Sequence, residues 1–246
     1  MPKFAADPNG IVPSTFGYTT VDIDTLGASE YTLVGIVTDC SGSVSPFARD
    51  EENAIKSVIE ACRKSPRADN LMLRYTVFDD RIDERHGFKL LMDCNAGDYD
   101  NSIRAGGMTA LYDAAIDGVD ALARYGRDLQ KNDFTVNGIL FVITDGESNA
   151  GKNISPASVK KAVEQGLQSE CLESLVTILI GVNVQNPSIA SHLQTLAREA
   201  GFTKYVELKD ASPATLAKLA QFVSQSISSQ SQSLGTGGPS QQLPSI

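Results

Sequence analysis

Three short polar clusters in this sequence hold the residue types that could bind a metal ion. Asp39-Cys40-Ser41-Gly42-Ser43 ends one apolar run, Gly106-Gly107-Met108-Thr109 precedes a helical pattern, and Thr144-Asp145-Gly146-Glu147-Ser148 ends a second apolar run. Asp39, Ser41, Ser43, Thr109 and Asp145 together offer two carboxylates and three hydroxyls, all hard oxygen donors. Such a set suits Mg²⁺, with Mn²⁺ or Ca²⁺ as alternatives, and suits zinc poorly, because zinc favours nitrogen and sulfur. The chain has two histidines, His86 and His192, and neither lies in a cluster. Its four cysteines, Cys40, Cys62, Cys94 and Cys171, stand far apart with no C-x-x-C pair. Neither a zinc ligand pair nor a disulfide frame is expected from that spacing, and a reduced, cytoplasmic setting is. Cys40 is expected to be a small packed residue and not a ligand.

Other polar residues carry weaker signals. Asp79 and Asp80 end an apolar run and read as turn residues and rim charge. Glu147 reads equally as a further acceptor near Asp145 or as an exposed loop acid. Gly146 to Asn153 spells G-x-x-x-x-G-K, one residue short of a phosphate loop. The hydroxyl such a loop needs after the lysine is replaced by Asn153, and the next helix signal, Ser155-Pro156, comes too late to aim its N–H groups at phosphate.

The elements that must position the clusters are apolar runs alternating with amphipathic segments. The runs span 31–38, 71–78, 87–92, 138–144, 175–182 and 203–208. The first, fourth and fifth are nearly continuous in Val, Ile and Leu, as in strands buried on both faces of a parallel sheet. Asp79 to His86 is too short for a crossover helix, so 71–78 and 87–92 are expected to form an antiparallel hairpin at an edge. Ile55, Val58, Ile59 and Cys62, and later Ile189, Leu193 and Leu196, recur at helical spacing. Four helices are expected to open at Ser45-Pro46, Ser155-Pro156, Asn186-Pro187 and Ser212-Pro213, with the polar residue as cap and proline as first helical residue. Gly201 marks a helix stop. The order β-α-β-β-α-β-α-β-α-β-α describes a doubly wound, mostly parallel α/β sheet with one antiparallel edge strand. The loops at its strand carboxyl ends line a crevice where the three clusters can meet.

The chain of 246 residues is long enough to bury a full core, and its net charge of −9 argues against a nucleic-acid or anionic-membrane ligand. No apolar run approaches the length of a spanning helix, and no secretory leader is expected at the start. Residues 1–30 are expected to form an irregular arm or one short strand, and 31–228 the folded domain. Residues 229–246, uncharged and rich in Ser, Gln and Gly, are expected to be disordered, with the last helix fraying near Ser229.

Asp39-x-Ser41-x-Ser43, then Thr109 after a glycine pair, then Asp145 in T-D-G-E, resembles the metal-ion-dependent adhesion site (MIDAS) of the von Willebrand factor A (vWA) family. The resemblance covers about residues 31–228 and implies a Rossmann-like fold. It implies that Ser41 and Ser43 coordinate the metal through their hydroxyls. Thr109 would join them when a ligand is engaged, Asp145 would ligate directly or through water, and Asp39 would orient the coordinated groups. The last coordination position is left for an acidic side chain of a protein partner. The function implied is a non-enzymatic, metal-dependent interaction module. A second reading is an Mg²⁺-dependent hydrolase with Asp39 as nucleophile. It is weakened because Ser41 stands where such an enzyme of the haloacid dehalogenase type carries a second aspartate. A third is a structural subunit whose metal only steadies the loops.

Overall fold

The structure, a computed structural model, describes residues 11–13, 19–153, 155–168, 171–233 and 243–245. In chain order the elements are β1 (Ile11–Pro13), β2 (Thr19–Val21), β3 (Glu30–Asp39), α1 (Ala48–Arg63), β4 (Leu71–Phe78), β5 (Ile82–Leu90), α2 (Leu111–Gln130), β6 (Thr135–Thr144), α3 (Pro156–Gln168), β7 (Ser174–Gly181), α4 (Pro187–Glu199), β8 (Lys204–Glu207) and α5 (Pro213–Ser233). The main sheet has the order β5-β4-β3-β6-β7-β8. Every pairing in it is parallel except β4 with β5. This is the expected doubly wound sheet with one antiparallel edge strand.

The two-sided burial of the central strands divides the core into two layers. Val34, Ile36, Phe141, Ile143 and Ile178 face α1 and α5, while Leu33, Val37, Leu140, Val142 and Leu179 face α2, α3 and α4. The helical periodicity is realised directly: Ile55, Val58, Ile59 and Cys62 of α1 are all buried in the first layer. Each fully buried branched side chain contributes roughly 1.5–3 kcal/mol from area removed from water.

Three of the four expected helix starts are observed. Asn186 Oδ1 accepts the Ser188 N–H at 2.9 Å with Pro187 as first helical residue, and Ser212 Oγ accepts the Thr215 N–H at 3.3 Å. The third, α3, opens on Pro156. The start at Ser45-Pro46 is not observed. A 3₁₀ turn over Gly42–Val44 comes first, and α1 begins at Ala48. The hydroxyl-bearing loop thus consumes the residues that resembled a cap. At the other end of α4, Gly201 takes φ +75°, the left-handed conformation that closes a helix.

The edge strand β5 begins at Ile82, five residues earlier than its apolar run suggests, and Leu91–Asp93 turns away as a 3₁₀ segment. Arg81 N donates to Asp79 Oδ1 at 2.8 Å, and Asp79 N donates to Arg81 O at 2.9 Å. That reversal is tight enough to bring the polar stretch from Asp83 to His86 into the ladder, as an edge strand with a solvated face permits.

Among the described residues before β3, where an irregular arm or one short strand is expected, lie two short strands, β1 and β2, paired antiparallel with Val12 opposite Thr20. β2 lies directly on Gly87, where a Cβ would stand 1.9 Å from the Thr19 carbonyl oxygen. Glu84 Oε1 accepts both Thr19 N (2.9 Å) and Thr19 Oγ1 (2.8 Å). Its other oxygen meets Arg74, a buried cation that also pairs with Asp117 at 2.9 Å. At the other end, α5 continues to Ser233, past the expected fraying point. Gln230 and Ser231 are 2% and 1% exposed, and Gln230 O accepts Asn137 Nδ2 at 3.1 Å. Leu243 packs against the layer holding α1 and α5, and Lys204 Nζ donates to Pro244 O. Residues 234–242 and 246, most of the expected disordered tail, lie outside the described residues. Among the described residues, no helix is long and apolar enough to cross a membrane.

Candidate metal centre

Asp39 is the last residue of β3, the strand between β4 and β6. Thr38 stands opposite Ile143, so Asp39 and Thr144 end neighbouring strands side by side. Beyond Asp39 the chain turns through Ser41 into the 3₁₀ segment. Ser41 makes no capping hydrogen bond there, and its Oγ lies 3.1 Å from Ser43 Oγ. Ser43 Oγ in turn donates to Asp145 Oδ1 at 2.8 Å, joining the first cluster to the third across 102 positions.

The second cluster is stitched between them by backbone bonds. Gly106 N donates to Cys40 O at 2.9 Å, Gly42 N to Gly107 O at 3.3 Å, and Ala110 N to Asp79 O at 2.7 Å. Gly107 has φ +71°, and a Cβ there would meet Asp80 Oδ1 at 2.8 Å, so both its conformation and its space require glycine. Thr109 N donates to Asn149 Oδ1 at 2.7 Å, and Thr109 O accepts the N–H groups of Asn149 and Ala150. The Thr109 hydroxyl has no hydrogen bond among the described residues. It sits just before the N-terminus of α2, whose partial positive end favours nearby carboxylates. All three predicted clusters therefore converge at the strand carboxyl ends.

Asp39 is 1% exposed, with Oδ1 accepting Ser41 N at 2.8 Å and Oδ2 accepting Thr144 Oγ1 at 2.6 Å. Burial pushes its carboxyl up to about 6, against the pull of those hydrogen bonds. Repulsion from Asp145 is the smallest of its causes, so desolvation and not the carboxylate pair dominates the uncharged tendency. Burial also raises Asp145, opposed by the Ser43 hydroxyl. A third acid lies beneath: Glu51 on α1 is 2% exposed among Ile36, Ile55, Phe141 and Leu219. Burial holds its carboxyl well above the usual range, with Asp39 and Asp145 adding to the shift.

No local sequence pattern singles out Thr144, Asn149 or Glu51 for these positions. Thr144 was legible as the Thr before Asp145, but its bond to Asp39 depends on strand register. Asp79 and Asp80 serve as turn residues and also flank Gly107. Glu147 Oε2 stands 3.9 Å from His192 Nδ1 on α4. The Cys40 thiol is buried and pushed up to about 12 by that burial, the state of a packed residue. The phosphate-loop look-alike has no cradle: Asp113 carboxylate oxygens accept the N–H groups of Lys152 (2.7 Å) and Asn153 (3.0 Å), and α3 starts only at Pro156.

The donor set fits a hard divalent cation. Among the described residues no group of three or more His, Cys, Asp or Glu gathers around one point, so hydroxyls must supply the balance, as in the Ser41–Ser43–Asp145 chain. A cation there would stabilise the ionised forms of two carboxylates that burial disfavours.

No family model and no curated protein matches the sequence. Solved structures do match the fold. Proximal thread matrix protein 1 from the mussel byssus aligns with TM-score 0.52 and 18% identity over 81% of this chain and 46% of that one. Another of its structures is described with a zinc-occupied MIDAS motif. The PilB minor pilin from Streptococcus sanguinis aligns with TM-score 0.60 and 14% identity over 86% of this chain and 64% of that one. The pilus adhesin SpaC from Lactobacillus rhamnosus GG aligns with TM-score 0.60 and 11% identity over 80% of this chain and 31% of that one. The chain spans less than two thirds of the length of each. At these identities the likeness concerns the fold, which is that of the von Willebrand factor A domains.

Proposed function

We propose that this protein is a metal-dependent protein-interaction module. Ser41, Ser43, Thr109 and Asp145 hold Mg²⁺, and Asp39 orients them from below. The observation that carries the reading is the continuous chain Ser41 Oγ–Ser43 Oγ–Asp145 Oδ1 at 3.1 and 2.8 Å, together with a Thr109 hydroxyl that makes no hydrogen bond among the described residues. When bound, the metal supplies Lewis acidity and an open position for a carboxylate of the partner. Ser43 is exposed and Asp145 partly so, while Asp39 is buried, so the groups nearest solvent are the ones a partner would approach. The zinc seen in the mussel protein's motif supports divalent-metal occupancy of such a site, and our choice of Mg²⁺ rests on the all-oxygen donors.

A non-enzymatic role is supported by Asp39 itself. Both its oxygens accept hydrogen bonds inside the fold, and at 1% exposure it is badly placed for the nucleophilic attack of the hydrolase alternative. A reduced, cytoplasmic setting is also part of the proposal, supported by four buried cysteines that form no disulfide among the described residues. The test is titration calorimetry with Mg²⁺ and Mn²⁺ on the wild type and on Ser43→Ala, followed by affinity capture with and without EDTA. Wild-type binding lost in Ser43→Ala supports the site, and metal binding that is equal in the two overturns it.

A further inference from the structure

The metal site offers a partner a single coordination position, and a lone carboxylate cannot encode which partner is bound. Selectivity has to come from the surface around it. On one side, toward the end of β4, that surface carries Asp79 and Asp80, which oppose an acidic ligand. On the other side, past the ends of β7 and β8, a cleft of about 570 Å³ opens between α4 and the end of β8. Val184 and Pro187 contribute to its lining together with Ser191, Gln194, Glu207 and Lys209. Those last four polar side chains are exposed and make no hydrogen bond or ion pair among the described residues.

We propose that this cleft is a second subsite of the partner-binding face, and that it takes a carboxamide side chain, glutamine above all, standing three residues from the metal-bound acid. The proposal rests on the metal-dependent reading of the site. The register follows from sheet geometry. Asp145 directly follows the last residue of β6, and β7 and β8 are the next two strands, with Thr144 opposite Gly181 and Gly181 opposite Glu207. Two strand spacings amount to roughly 10 Å, and an extended chain crossing them advances about 3.3 Å per residue. The chemistry follows from the lining. Lys209 donates, Glu207 accepts, and Ser191 and Gln194 do both. A charged side chain would be drawn by one of Lys209 and Glu207 and repelled by the other. A neutral group with both a donor and an acceptor can satisfy the two together, and glutamine has the length to enter.

The test is a two-dimensional NMR titration of the full chain with synthetic extended peptides, which detects millimolar affinities. The peptides contain Asp-Ala-Ala-Gln, its reverse order Gln-Ala-Ala-Asp, or Asp-Ala-Ala-Ala, each in Mg²⁺ and in EDTA. One of the glutamine peptides should bind about fivefold tighter than the alanine control, the worth of one or two neutral hydrogen bonds. It should shift the amides of Ser191, Gln194 and Lys209, and the gain should vanish in Gln194→Ala and Lys209→Ala. Metal-dependent binding with no preference for glutamine, or a preference that survives both substitutions, overturns the subsite and leaves the metal-dependent reading standing. Binding that ignores EDTA, or no binding by any peptide, overturns both.

Discussion

Thr144→Val removes the shortest hydrogen bond to the buried Asp39 carboxylate. Valine keeps the branched shape and strand preference of threonine, so the change removes one donor from Asp39 Oδ2, 2.6 Å away, and with it only the two longer 3.3 Å bonds between the same hydroxyl and the Gly146 backbone. A hydrogen bond to an ionised group contributes roughly 1.5–3 kcal/mol, whereas one between neutral groups contributes about 0.5–1.5 kcal/mol. The cost therefore depends on the charge of Asp39. Its carboxyl is raised to about 6 from 3.8, so the folded state holds this proton where the unfolded chain has lost it. The group thus favours the apo fold most below the unfolded value, and that contribution is lost as pH climbs toward 6. Thr144→Val raises the folded value further and extends the loss upward in pH. At pH 7.5 the variant should be about 2 kcal/mol less stable, seen as roughly 4–8 °C in Tm, and at pH 5 the deficit should be smaller. Calorimetric melting at both pH values measures it, with Thr144→Ser as a control that keeps the hydroxyl. Equal melting of variant and wild type at pH 7.5, or a larger deficit at pH 5, would refute the account of Asp39.

Asp145→Ala loses one exposed-side hydrogen bond from Ser43 and should change apo stability by less than about 1 kcal/mol while abolishing calorimetric Mg²⁺ binding. His86 should make the protein acid-sensitive. Burial lowers its ring to about 4 from 6.5, with Nδ1 donating to Gly87 O and Nε2 accepting from the Tyr99 hydroxyl. Its neutral form is the folded one, so stability is unaffected above pH 6.5 and falls by up to about 3 kcal/mol as pH drops toward 4. Urea melts of His86→Gln against wild type should show that slope flattened. Gly87→Ala drives a methyl into the Thr19 carbonyl and should detach the β1–β2 hairpin, read as faster amide exchange at Thr19 to Val21 with the main sheet still protected. Deleting residues 230–246 removes the buried Gln230 and Ser231 and the acceptor that Gln230 O offers to Asn137 Nδ2, so it should cost about 2 kcal/mol or more in a denaturant melt.

The sheet was legible because β3, β6 and β7 are apolar on both faces, a pattern that only a covered parallel sheet explains, and the site was legible because its residues sit where those runs stop. The start of β5 was not, since Asp83 to His86 look like a loop until the Asp79–Arg81 reversal places them on an edge. The end of α5 was hidden for a related reason. Serine and glutamine lack the apolar signal of a buried helix face, yet Gln230 is buried because Asn137 and Ser174 on the sheet meet it with hydrogen bonds, and Ser231 is buried beside it. The Ser45-Pro46 pair misled because it obeys the local capping rule, while the loop that presents Ser41 and Ser43 needs those residues first. Thr144 and Asn149 act through partners far along the chain, and no local pattern announces such contacts.

The packing of α1 against α5 has a consequence for synthesis. The two helices share one face of the sheet, yet α1 ends at Arg63 and α5 starts only at Pro213. At ordinary translation speeds that stretch of chain separates them by roughly eight to thirty seconds. Throughout that interval Ile55, Val58 and Ile59 have no helix to cover them on the α5 side, and for about its first half β3 also waits for β6 to complete its pairing. The nascent chain is thus an incomplete sheet with an apolar face turned to solvent. It is the state most open to capture by chaperones or by another ribosome's product, and it ends only when Leu216, Leu219 and Val223 leave the exit tunnel.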